Sequence, residues 1–121
     1  MLTTPTSLPV ASALPSAPAL EQVAGEIAAD AAVVLARALR EFQTGGLSFR
    51  TRNAWGGLIA RLFELRLVCA GQIDFYAVAR ARGTRLLQER YGRDINTRTI
   101  AVLIDAVLEV LQQVVRAELN G

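Results

Sequence analysis

The chain of 121 residues contains no histidine and no lysine, and its single cysteine is Cys69. Without an imidazole, a lysine amine or a second thiol, the usual general bases, Schiff-base lysines, Cys-His pairs and cysteine-based zinc clusters are excluded. One cysteine also cannot form a disulfide within the chain. We therefore expect a protein that is not an enzyme, that needs no cofactor or resident metal, and that acts by binding.

Long apolar runs are also missing. Charged residues interrupt every apolar stretch before it reaches the roughly 20 residues that a membrane helix needs. No basic residue precedes Arg37, whereas a secretory signal begins with positive charge. We expect a cytoplasmic protein that does not bind a membrane. The composition is nevertheless 52% hydrophobic, which is high for a small monomer, so we expect a protein partner to cover part of the apolar surface.

The thirteen basic residues are all arginine, and most of them lie in the middle of the chain. Residues 44–93 hold nine arginines against three acidic residues, whereas the segments on either side carry a net negative charge. Arginine presents a planar fork of donors that suits a carboxylate, a phosphate or an aromatic face. This basic middle either attracts an acidic partner or pairs with the chain's own acidic helices, and the sequence leaves both open.

Proline occurs only in the first 18 residues, in a stretch without charge that is also rich in serine and threonine. Residues 1–18 are therefore predicted to form a flexible, extended N-terminal arm. This arm either stays free or docks on a neighbouring subunit through its few apolar side chains. The remaining residues, 19–121, are predicted to form a single helical domain.

The pattern of apolar residues after the arm is that of a small all-α domain resembling a four-helix bundle. Helical spacing and the polar or glycine residues between the segments predict helices at about 19–43, 49–70, 75–91 and 97–119. The candidate N-caps of the last three helices are Ser48, Asp74 and Asn96.

The first helix is predicted to carry two kinds of surface. Its apolar face, expected in the core, consists of Leu20, Val23, Ala24, Ile27, Ala31, Val34, Leu35, Ala38 and Phe42. A flanking strip of small residues either allows the close approach of another helix or reflects a coding bias toward alanine, and it consists of Gly25, Ala29, Ala32 and Ala36. In the second helix, Gly56 and Gly57 are unfavourable for a helix interior and predict a bend, a close neighbour or a later start of the helix.

The fourth helix carries apolar residues around nearly half of its circumference. An ordinary surface helix shows a stripe of only a little over about 100°. We expect a second copy of the chain to cover the excess, giving a homodimer or a higher oligomer. The residues assigned to self-association are Ile100, Leu103, Val107, Val110, Leu111 and Val114. The alternative is that this helix lies at the centre of the bundle.

The leading functional hypothesis is a small regulatory or adaptor protein, similar in action to an antiactivator. It binds a protein partner through apolar helix faces rimmed with arginine, and it masks the partner's dimerisation or DNA-binding surface. Interface cores favour aromatic residues and arginine over lysine. The candidate partner-binding residues are Trp55, Arg66, Tyr76, Arg82 and Arg85. Arg66 lies in the apolar face of its helix, where its charge needs a carboxylate, solvent or an interface.

Residues 84–99 combine a helix, a turn with glycine and a capped second helix, which is the layout of a helix-turn-helix. Nucleic acid is therefore the alternative partner. The arginines assigned to it are Arg80, Arg82, Arg85, Arg90, Arg93 and Arg98. Two features oppose this: Gln88 replaces the small residue typical of the first helix, and the second helix becomes apolar within one turn. A third alternative is a structural subunit of a larger helical assembly.

Overall fold

The computed structural model describes residues 16–120, which form four α-helices and, within that range, no strand. The helices are α1 (Ala17–Thr44), α2 (Phe49–Val68), α3 (Phe75–Tyr91) and α4 (Thr97–Asn120). The predicted all-α, bundle-like domain is confirmed, and each helix ends within two residues of its expected position. Most of the predicted N-terminal arm, residues 1–15, lies outside the described residues, and its last two residues already belong to α1. None of the helices from residue 16 to 120 has an apolar stretch that would cross a bilayer.

Each helix begins at a polar residue whose side chain accepts a hydrogen bond from the backbone three residues later. Such bonds satisfy N–H groups that have no partner within the helix. The predicted caps of α2, α3 and α4 are confirmed, and α1 is capped in the same way. The caps are Ser16, Ser48, Asp74 and Asn96, with N···O distances of 3.3, 3.2, 3.4 and 2.8 Å.

α1 is the central helix and contacts each of the other three. It is buried around most of its circumference as far as Val34, because its small side chains let neighbouring helices come close. The buried residues are Leu20, Ala24, Gly25, Ile27, Ala28, Ala29, Ala31, Ala32 and Val34. α4 also contacts the other three helices, as the alternative to self-association expected, but α1 makes the more extensive contacts.

The predicted strip of small residues on α1 lies against α3, and the two helices pack closely there. A Cβ added to Gly25 would lie 2.5 Å from the Cβ of Arg82 on α3, and one added to Gly83 of α3 would lie 3.3 Å from the Cβ of Ala28 on α1. The expectation of close packing is therefore confirmed. The expectation of a close neighbour at Gly56 and Gly57 is wrong, since no atom lies within 4 Å of a Cβ at either position and α2 continues through both.

α4 places one broad face on the core that it shares with α1, α2 and α3. Four of the residues assigned to self-association are buried within a single copy: Ile100, Leu103, Val107 and Leu111. Three helices of the same copy already cover these four residues, and their assignment to self-association stays a prediction. The other two, Val110 and Val114, are partly buried against the same core.

Candidate protein-binding surface

An exposed apolar surface lies where α1 ends and α2 begins, and we call it the α1–α2 corner. It surrounds a groove of about 450 Å³ whose lining residues are Leu35, Ala38, Leu39, Phe42, Leu47, Thr51, Arg52 and Trp55. Phe42 is 73% exposed and Leu39 is 53% exposed. Single exposed apolar residues are ordinary, but a contiguous group on the surface marks an interaction site.

Glu41 holds the two sides of the α1–α2 corner together. One carboxylate oxygen accepts a hydrogen bond from the backbone N–H of Ser48 at 2.9 Å, and the other accepts one from the hydroxyl of Thr51 at 2.7 Å. The Ser48 N–H contributes most to lowering the pKa of Glu41, and the Thr51 hydroxyl contributes next. These two bonds link the last turn of α1 to the first turn of α2, and the Thr51 end of the link is buried.

The short connection between the helices depends on two glycines. Gly45 has a φ of 146° and Gly46 a φ of 116°, a region that side-chain-bearing residues rarely adopt. The N–H groups of both residues bond to the carbonyl of Glu41, which ends α1. The chain then reverses, so that Leu47 and Trp55 come to line the same groove as Leu39 and Phe42.

The sequence placed Phe42 and Val23 in the core face of α1, and both are exposed. Phe42 lies beyond Val34, the last buried residue of α1. Residues 35–44 include no buried residue. The sequence could not give this result, since periodicity identifies an apolar face without saying how much of it is covered.

The five candidate partner-binding residues do not form one surface. Trp55 lies at the α1–α2 corner, whereas Arg66 and Tyr76 meet near the opposite end of α2, with the guanidinium carbon 5.6 Å from the centre of the ring. In this cation–π contact the ring of Tyr76 attracts the positive charge of Arg66. Arg82 pairs with Glu21 at 3.1 Å, and Arg85 is exposed.

Three of the six arginines assigned to nucleic acid form ion pairs with acidic residues of neighbouring helices. The pairs are Arg80 with Asp105 at 3.0 Å, Arg82 with Glu21 at 3.1 Å and Arg90 with Asp30 at 3.5 Å. Part of the basic middle therefore pairs with the chain's own acidic helices. No such pair involves Arg85, Arg93 or Arg98 among residues 16–120. Partly exposed pairs contribute at most about 1 kcal/mol each to stability.

The chain's only thiol is buried, with Cys69 just 1% exposed. Burial raises the pKa of the Cys69 thiol, because the thiolate loses its hydration. A thiol held in this form is a poor nucleophile. Over residues 16–120, no three cysteine, aspartate or glutamate side chains are placed to hold a metal ion.

The α1–α2 corner combines an exposed aromatic ring, a concave apolar lining and one arginine, Arg52. These are the features that distinguish the centre of a protein interface from the rest of a surface. Comparison of the chain with protein-family models, curated proteins and solved structures finds no match.

Proposed function

We propose that the protein is a non-enzymatic adaptor or regulator that binds a protein partner at the α1–α2 corner. The observation that carries the proposal is the exposure of Phe42 and Leu39 beside a groove with an almost entirely apolar lining. Covering such a surface contributes about 25 cal/mol per Å² of apolar area removed from water. Tryptophan and arginine, present here as Trp55 and Arg52, are among the residues that most often dominate binding energy.

The partner that suits this groove is an apolar segment with a carboxylate near its edge, such as one face of an amphipathic helix. Arg52 lines the groove and, within the described part of the chain, has no ion-pair partner. Its guanidinium can therefore donate paired hydrogen bonds to a carboxylate of the partner. While bound, that segment is unavailable for other contacts, so the protein would mask a dimerisation or DNA-binding surface of its partner.

The proposal is tested by capturing proteins from an extract of the native host on immobilised variants. Phe42→Ser removes the most exposed ring of the groove, and Val102→Ser is the matched control, because Val102 is 60% exposed on α4 and lies outside the groove. We expect at least one protein to be retained by wild type and by Val102→Ser, and to be retained about tenfold less by Phe42→Ser, which corresponds to about 1.4 kcal/mol. Arg52→Glu should weaken the same interaction.

Equal retention of every captured protein by wild type and Phe42→Ser would exclude the corner as the binding surface. Light scattering on the same variants tests self-association, which stays a prediction. A wild-type dimer that Phe42→Ser converts to a monomer would make a second copy the occupant of the groove. Binding of duplex DNA that falls steeply with salt and is lost in Arg85→Glu would instead favour the nucleic-acid alternative.

A further inference from the structure

A second cavity, of about 490 Å³, opens between α1, α2 and α3, and we call it the three-helix cavity. Each of the three helices contributes one arginine to it. Its polar lining residues are Asp30, Arg37, Asn53, Arg61, Arg90 and Tyr91, and valine, alanine and leucine side chains form most of the rest. It shares no lining residue with the groove of the α1–α2 corner, so it is a separate site.

The charges of the three-helix cavity do not balance. Its lining includes three guanidinium groups and one carboxylate, that of Asp30, which pairs with Arg90 at 3.5 Å. Arg37 contributes to the lowered pKa of Glu41, so the Glu41 carboxylate offsets part of the charge of Arg37 from outside the lining. The lining residues by themselves carry a net charge of +2, and with Glu41 counted the site is still positive, which favours the entry of an anion.

We propose that the three-helix cavity binds a small organic phosphate. A carboxylate has a single charge and two oxygens, whereas a phosphate monoester carries a charge of about −1.5 to −2 at pH 7 and three acceptor oxygens, so it can pair with Arg37 and Arg61 at once. Its oxygens accept the forked donors of Arg37 and Arg61, and the Asn53 amide and the Tyr91 hydroxyl can donate to the same group.

The apolar part of the lining indicates that the phosphate carries an organic group. Val33, Val34, Ala54 and Leu58 lie in the same cavity as the arginines. Gly57 also lines it and leaves the space beside α2 open, although glycine is unfavourable in a helix interior. A free inorganic phosphate would satisfy the arginines and leave this apolar wall uncovered.

The test is calorimetric titration of the full chain at low ionic strength with three probes: phenyl phosphate, inorganic phosphate and benzoate. We expect phenyl phosphate to bind most tightly. Arg37→Gln and Arg61→Gln should each weaken it at least about tenfold, as expected for loss of a charge-assisted hydrogen bond. Arg116→Gln, an exposed position of α4 outside the cavity, changes the net charge equally and should weaken it less than about twofold.

Nuclear magnetic resonance of the wild type gives a readout that does not depend on any variant folding. On titration with phenyl phosphate, the side-chain amide of Asn53 and the backbone amide of Gly57 should shift together and saturate. Three results would overturn the proposal: no saturable binding, an equal loss in Arg116→Gln, or benzoate binding as tightly as phenyl phosphate. Phe42→Ser should bind phenyl phosphate like the wild type, so this site and the proposed protein-binding surface are tested separately.

Discussion

Glu41 shows how a single side chain organises the candidate binding surface without being part of the groove. Its two oxygens accept bonds from Ser48 and Thr51, seven and ten residues further along the chain. The sequence identifies Ser48 as a helix cap, because capping depends on the next three residues alone. It does not identify Glu41, since a glutamate on an amphipathic helix is ordinary until the turn at Gly45 and Gly46 brings α2 back to it.

The free energy of unfolding should depend on pH through the Glu41 carboxylate, and Glu41→Gln should remove that dependence. The folded state lowers the pKa of Glu41 below its ordinary value of 4.5, so the ionised carboxylate stabilises the fold above that pH. This contribution disappears as the pH falls through the lower, folded-state pKa. In urea unfolding, the free energy of unfolding of the wild type should therefore exceed that of Glu41→Gln most at neutral pH, and the difference should shrink in acid.

Glu118→Gln is the control for this titration, because Glu118 is exposed near the end of α4. Its difference from wild type should stay small across the pH range. A constant difference between wild type and Glu41→Gln from neutral to acidic pH would contradict the assigned role of the carboxylate.

The most extensive contact between two helices of this bundle is that of α1 with α3. Two glycines make that contact possible, since a Cβ at Gly25 would lie 2.5 Å from the Cβ of Arg82 on α3, and one at Gly83 would lie 3.3 Å from the Cβ of Ala28 on α1. The strip of small residues on α1 predicted such an approach from the sequence, but not which helix would make it. The glycines of α2, Gly56 and Gly57, have no such neighbour. Glycine therefore permits close packing in α1, whereas in α2 it only lowers the helix propensity.

Substituting alanine for a glycine in each helix should change stability in opposite directions. In Gly25→Ala the new methyl group collides with Arg82, and overpacking of this kind destabilises by about 1–3 kcal/mol. In Gly56→Ala nothing lies within 4 Å of the new methyl, so the helix gains up to about 1 kcal/mol from propensity alone. Urea unfolding followed by circular dichroism measures both, and a Gly25→Ala protein at least as stable as wild type would refute the close approach.

The whole molecule distributes its apolar residues differently from what composition suggests. The broad apolar face of α4 led us to expect cover from a second copy. In the structure α1, α2 and α3 all contact α4, and the alanine-rich α1 takes up many of the buried apolar residues. The exposed apolar surface lies at the α1–α2 corner, where residues 35–44 of α1 are no longer buried.

Two substitutions on α4 separate its buried face from its outer face. Leu111 is fully buried, so Leu111→Ala should lower the free energy of unfolding by about 2–5 kcal/mol. Val102 is 60% exposed, so Val102→Ala should change it by no more than about 0.5 kcal/mol. Both effects should be independent of protein concentration. A loss of stability in Val102→Ala that depends on concentration would instead indicate that a second copy covers this face.

The sequence by itself determined the fold class, the ends of the four helices and the caps of α2, α3 and α4, because these depend on residues within a few positions of one another. Only the tertiary structure decided that α1 is central, that Phe42 lies outside the core and that Arg37, Arg61 and Arg90 line one cavity. Arg82 and Glu21, for example, lie 61 positions apart, so their contact depends on how the helices pack against one another. Periodicity within a single helix carries no information about where its neighbours end.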